Sequence, residues 1–267
     1  MLANSFSLRG IKFAFLFGPP RFVEREEASR IHSNVCNATG FDDFSFKYST
    51  IAPEARLASK GFSVVFERKE GRGTLAALIE NKNINSPIRI LLEYIWPPTT
   101  QHVKENFDSI SNTVFESLDG NWTKVLAEVR LHAQCNTRSN NGLSFLREKV
   151  LGLPQEYISG LGGPLSFCSV KLKVDATQPQ PPQEDQIEGA KREFLIEVLR
   201  EDPTCVYLEL VSTWPQVAPL PRNQTGKIVI GSIRKIDSEP SAYIEEALSF
   251  LNEQAEQLDR ISRESEE

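Results

Sequence analysis

The chain has no surplus of positive charge, no paired-cysteine motif, few histidines and no long apolar run. Lys and Arg number 30 against 36 Asp and Glu, a net charge of −6. A protein that grips nucleic acid through its phosphate backbone carries a basic excess, so nucleic acid is a disfavoured partner. The imbalance is uneven: residues 1–120 hold 14 basic and 14 acidic side chains, whereas residues 121–267 hold 16 and 22. The four cysteines (Cys36, Cys135, Cys168, Cys205) never form a CxxC. Scattered thiols point to a reducing compartment and to use as small buried side chains. "IKFAFLFG" is too short to span a membrane and is broken by Lys12, and no other stretch approaches about 18 apolar residues. A soluble cytoplasmic protein without a membrane partner is expected. The sequons at Asn37, Asn121 and Asn223 carry no meaning without an export signal.

Catalytic and metal-binding patterns are missing as well. His32 and Cys36 share a helix face, but the spacing supplies no further ligands. His132, Cys135 and Cys168 could meet across strands, but parity puts His132 on the polar face of its strand and Cys135 on the opposite one. "SGLGGP" (159–164) lacks the G-x-G-x-x-G order and a Walker lysine, and reads as a turn. There is no G-x-S-x-G and no H-E-x-x-H. No catalytic residue, metal site or cofactor is expected, which points away from an enzyme.

What the chain does have is an ordinary globular composition, 40% hydrophobic and 25% charged. In "GIKFAFLFGPP", Ile11, Phe13, Phe15 and Phe17 recur with a period of two, the mark of a strand with one apolar face. Ala28, Ile31 and Val35 follow at helical spacing, with Gly40 as the stop. The strand candidates "DDFSFKYS", "GFSVVFERKEG", "GTLAALIENK" and "RILLEYIW" come next, with "EGRG" as a hairpin turn. Thr99 or Thr100 can cap a helix striped by Val103, Phe107, Ile110, Val114 and Leu118. From residue 121 the plan repeats. "WTKVLAEVRLHAQ" alternates, short helical pieces follow, and "LSFCSVKLKVDA", "REFLIEVLRED" and "CVYLELVSTW" read as strands. Residues 176–190 form a flexible polar loop. "KIVIGSIRKI" is a short extra strand, and Ser238 caps a final helix striped by Ile244, Ala247, Leu248, Leu251, Ala255, Leu258 and Ile261. The tail 262–267 reads as frayed. Phe13, Phe15, Phe17, Phe62 and Phe66 read as core, not as a base-stacking platform.

Both halves thus read as strand, helix, three to four strands, helix, and both carry an apolar strand with a central glutamate that stops at Trp-Pro. Aligning Leu92 with Leu208 and Glu93 with Glu209 puts Trp96 and Trp214 on the leucine face. The expected fold is α+β: two pseudo-symmetric halves, 1–120 and 121–267, form a mostly antiparallel sheet with helices packed on one face.

The element order is similar to the TATA-box-binding-protein-like fold and to helix-grip folds. "IKFAFLF", "VRLHAQ", "LELVSTWP" and "YIEEALSFLNEQAEQLDRI" further resemble a sporadically distributed bacterial family of duplicated α+β proteins. The first strand departs from that family in lacking an acidic residue. The resemblance implies a duplicated fold and transfers no functional residue.

If helices cover one sheet face, the other is free to dock a partner. Lys124, Arg130, His132, Lys171, Lys173, Glu93 and Glu209 are the candidate residues of that face. The expected function is non-catalytic: holding a protein partner, or a second copy of the chain, on the open face or an edge. Two alternatives are a small-molecule binder or enzyme with a helix-grip pocket, and weak nucleic-acid binding.

Overall fold

The computed structural model describes residues 6–52, 60–137, 141–160, 165–174, 190–214, 235–236 and 239–264. Its strands are β1 (Phe6–Phe17), β2 (Ser45–Ile51), β3 (Gly61–Glu70), β4 (Gly73–Asn81), β5 (Ile88–Ile95), β6 (Lys124–Asn136), β7 (Ser169–Val174), β8 (Lys191–Val198), β9 (Cys205–Thr213) and β10 (Lys235–Ile236). The helices are α1 (Arg25–Thr39), α2 (Thr100–Ser117), α3 (Gly142–Ser144) running into a π-helical turn at Phe145–Val150, α4 (Gln155–Gly160) and α5 (Pro240–Glu264). The fold is α+β, with one open antiparallel sheet in the order β2-β3-β4-β5-β1-β6-β9-β8-β7. The two-residue β10 pairs with the start of β6.

The first strand of the chain lies at the centre of this sheet because both of its faces are apolar. Ile11, Phe13, Phe15 and Phe17 are buried on the helix side. Ala14 and Leu16 point the other way and form a second, smaller buried cluster with Val125 and Ala127. The rest of the core is one continuous cluster, and residues 1–120 and 121–267 both contribute to it. α1 adds Ala28, Ile31 and Val35, α2 adds Val103, Phe107, Ile110 and Val114, and α5 adds Ile244, Leu251 and Ala255. α1 packs on α2, and α2 packs on α5. Phe62 and Phe66 are buried with the β1 aromatics, as their spacing predicts.

Local signals set the boundaries. α1 ends at Gly40, whose φ of 72° is the left-handed conformation that glycine adopts without steric cost. Thr99 caps α2 by accepting from His102 N at 3.1 Å. The start of α2 is also tied to the β3–β4 hairpin: Glu70 accepts from the buried Tyr94 hydroxyl and from His102 Nε2, the latter at 3.0 Å, and pairs with Arg68 at 3.3 Å.

The structure departs from the sequence reading at two places that bear on the site. β6 carries an irregularity: Phe15 pairs with Leu126 but Ala14 pairs with Glu128, which leaves Ala127 bulged. A one-residue bulge reverses the alternation on either side of it. Lys124 is therefore not on the open face with Arg130 and His132. It is buried on the helix side, with its ammonium 4.7 Å from the Phe115 ring of α2. The second departure is at Trp96, whose φ is +51°. This left-handed residue breaks the phase of β5 and carries the indole away from the leucine face. Trp214 remains in the core, 7% exposed, so the two tryptophans occupy different environments.

Several expectations fall outside the described residues: the 176–190 loop except Ala190, the cap at Ser238, most of "KIVIGSIRKI" and of "SGLGGP", and the tail beyond Glu264. Residues 262–264, read from the sequence as frayed, are helical.

Candidate functional site

The sheet face opposite the helices presents Lys12 from β1, Glu93 from β5, Glu128, Arg130 and His132 from β6, and Tyr207 and Glu209 from β9. These positions meet in the register: Lys12 lies between Glu93 and Arg130, and His132 lies opposite Glu209. Cations directly opposite each other are unfavourable. The Lys12–Arg130 pair is offset by carboxylates: Glu128 is 4.0 Å from Lys12 and 3.3 Å from Arg130, and Glu209 is 3.4 Å from Arg130.

Beside this cluster is a cavity of about 330 Å³, lined by Arg9, Gly10, Lys12, Glu93, Trp96, His132 and Tyr207 among others. Gly10 makes the space. Among the described residues, a Cβ at Gly10 would meet nothing closer than the Tyr94 carbonyl at 3.5 Å, so glycine there leaves room and relieves no backbone clash. A glycine inside a strand often marks a bulge or the close approach of a ligand. A register shift falls here as well, between Leu8 and Gly10. Trp96 forms one wall. Its backbone N–H donates to Arg9 O at 2.7 Å, and the guanidiniums of Arg9 and Arg72 lie over its ring at 4.3 and 4.4 Å. A non-glycine residue at positive φ costs about 1–3 kcal/mol, and such strain gathers at functional sites. Arg9 also pairs with Glu201 at 2.8 Å.

His132 is the titratable group at the centre. Its Nδ1 is hydrogen-bonded to the Tyr207 hydroxyl, which reaches Glu209 at 3.4 Å. Burial lowers the His132 pKa below 6.5. Glu209 and Glu93 oppose the shift and Arg130 and Lys12 reinforce it, and the net direction is down. Burial, with the neighbouring Glu209 and Glu197 carboxylates, also raises the Tyr207 pKa. Both groups are neutral at pH 7. Because the unfolded chain takes up the His132 proton first, stability falls as pH drops from about 6.5 toward the lower folded pKa. His132→Gln is expected to flatten that part of the stability–pH curve, measured as urea midpoints at pH 7.5 and 5. An unchanged slope would mean that His132 is not desolvated.

Of the seven residues named from the sequence, Glu93, Arg130, His132 and Glu209 come together here. Lys124 is on the other face. Lys171 and Lys173 are on the open face but two strands beyond β9, on β7, where both bind Glu193 at 2.5 and 2.8 Å. Sequence reading missed Arg9, Gly10, Lys12, Trp96 and Tyr207. The glycine interrupting an apolar strand was the available signal. Among the described residues no group of three or more His, Cys, Asp or Glu could hold a metal ion, and no helix is long and apolar enough to cross a membrane. The chain matches no protein-family model and no curated protein.

Proposed function

We propose that the protein is a non-catalytic binding protein, built from a duplicated unit, which holds a protein partner against the open face of its sheet. The observation that carries this reading is the open-face cavity at Gly10. It gathers partly buried polar groups and a strained aromatic at the centre of a broad sheet, away from every helix. Exposed sheet faces with a pocket for an anchoring side chain suit protein recognition. The four free thiols fit the reducing compartment inferred from the sequence, a bacterial cytoplasm.

Duplication is supported by the register. Lys12 and Arg130 pair at the centre, Arg9 and Ala127 are the two bulged positions, and Trp96 N donates to Arg9 O as Trp214 N donates to Ala127 O. Each of these correspondences (12 to 130, 9 to 127, 96 to 214) is the same offset of 118 residues. The strand orders β1-β5-β4-β3 and β6-β9-β8-β7, read outward from the centre, agree with it. On this offset Glu93 corresponds to Val211 and Leu91 to Glu209, so the two glutamates aligned from sequence are not equivalents.

The alternatives have less behind them. The cavity between sheet and helices at Trp214, Tyr243 and Phe250 measures about 20 Å³, far below the several hundred that a small-molecule pocket requires. Among the described residues, Lys12, Arg130, Lys171 and Lys173 of the open face are matched by Glu128, Glu209 and Glu193, which leaves no basic track through the site for a phosphate backbone.

Selection of a displayed random-peptide library on the immobilised protein tests the proposal. Gly10→Leu, which fills the cavity without a backbone clash, is expected to weaken the selected peptides by about tenfold or more. Glu256→Lys, on the exposed side of α5, is expected to leave them unchanged. Peptides insensitive to Gly10→Leu, or binding on the helices, would refute the open face as the docking surface.

A further inference from the structure

Resting on the reading of the open face as a docking surface, we infer that the Gly10 cavity receives a positively charged side chain of the partner, a lysine ammonium or an arginine guanidinium. The charges of the lining point to this. Arg9 is paired with Glu201 and Lys12 with Glu128. Glu93 alone among the charged lining residues holds no hydrogen bond or ion pair within the described residues, although Lys12 is its cross-strand neighbour. A half-buried carboxylate without a partner is costly unless a cation or water meets it. A charge-assisted hydrogen bond from an entering ammonium or guanidinium supplies that partner.

The other walls accept the same group. The Trp96 ring already holds the guanidiniums of Arg9 and Arg72, so it serves as an aromatic wall and the entering cation is held by Glu93. His132 has Nδ1 engaged by Tyr207, which leaves Nε2 without a partner among the described residues. A neutral imidazole adds no repulsion against a cation. Burial favours that neutral form, with Glu209, Arg130, Glu93 and Lys12 facing the ring from β9, β6, β5 and β1. A long side chain extending from a partner laid over the sheet reaches Glu93 past Gly10, where no Cβ intervenes.

The peptides selected above are re-synthesised with each Lys or Arg replaced by its neutral counterpart, norleucine or citrulline, and affinities are read by fluorescence polarisation. One such replacement is expected to weaken binding by about tenfold. Glu93→Gln, which keeps the side-chain shape, is expected to produce a similar loss for the basic peptide and no further loss for its neutral counterpart. Thermal melts of Glu93→Gln at the wild-type midpoint establish that the variant is folded. Peptides that depend on Gly10 but not on a basic residue, or acidic peptides whose binding is lost with Lys12→Met, would overturn the inference while leaving the docking surface in place. The absence of any peptide sensitive to Gly10→Leu would instead remove the docking surface itself.

Discussion

Phe13→Ala is expected to lower the unfolding free energy by about 3–5 kcal/mol and to leave a single unfolding transition. Phe13 is fully buried on the central strand, between Leu92 of β5 and Val129 of β6. Its ring is 6.0 Å from that of Phe15 and 6.3 Å from that of Tyr243 on α5. Removing it opens a cavity shared by both halves of the chain, at the strand pair that joins them. Because one continuous core spans residues 1–120 and 121–267, neither half has a hydrophobic interior of its own to retain. Tryptophan fluorescence reports from Trp96 and Trp122 in and beside the first half and from Trp214 in the second. The thiols give an independent probe. Burial raises the pKa of all four, Cys135 to about 12, so they react slowly until the fold opens. Coincident midpoints by both probes in urea are expected for wild type and variant. A biphasic curve in which one half keeps its protection would show that the halves fold as separate domains.

The parts of the fold legible in the sequence were those written by side-chain period. Phe13, Phe15 and Phe17 announced a strand because alternating burial requires alternating apolar residues, and the α2 stripe from Val103 to Val114 did so for the helical period. Gly40 and Thr99 marked helix ends because their chemistry satisfies orphan backbone groups. Bulges leave no such trace. The extra residue at Ala127 is an unremarkable alanine, yet it moved Lys124 from the open face to the core and separated it from Arg130. The positive φ of Trp96 was equally invisible, since a tryptophan there has no local reason to leave the strand. The site was therefore read in part. Glu93, Arg130, His132 and Glu209 lie on regular strand and kept their phase. Arg9 and Trp96 sit on the irregularities that build the cavity. The two Trp-Pro strings invite a comparison of the halves, and the proposed offset of 118 residues pairs the tryptophans where the sequence alignment pairs the glutamates.

Replacing His132, Tyr207 and Glu209 together with apolar residues is expected to abolish peptide binding without loss of stability. The proposed offset of 118 residues matches His132 with Ala14 and Glu209 with Leu91, and Ala14 belongs to the small apolar cluster that Leu91 packs against. On that offset two of the three positions are filled by apolar residues, Ala14 buried and Leu91 partly buried, while Tyr207 matches Arg89. Nothing in the backbone of β6 or β9 demands a histidine or a glutamate there. The variant His132→Ala/Tyr207→Phe/Glu209→Leu removes the hydrogen-bonded set as a unit, so no member is left facing a missing partner. Arg130 keeps Glu128 at 3.3 Å. Replacing a partly buried polar network as a whole is commonly neutral or stabilising by about 1–4 kcal/mol, so the urea midpoint is expected to hold or rise. The peptides that enter the Gly10 cavity should bind too weakly to measure, because the imidazole and the phenolic hydroxyl that shape its β6–β9 wall are gone. A variant that unfolds would show that these groups serve the fold. One that is stable and still binds would place recognition elsewhere on the sheet.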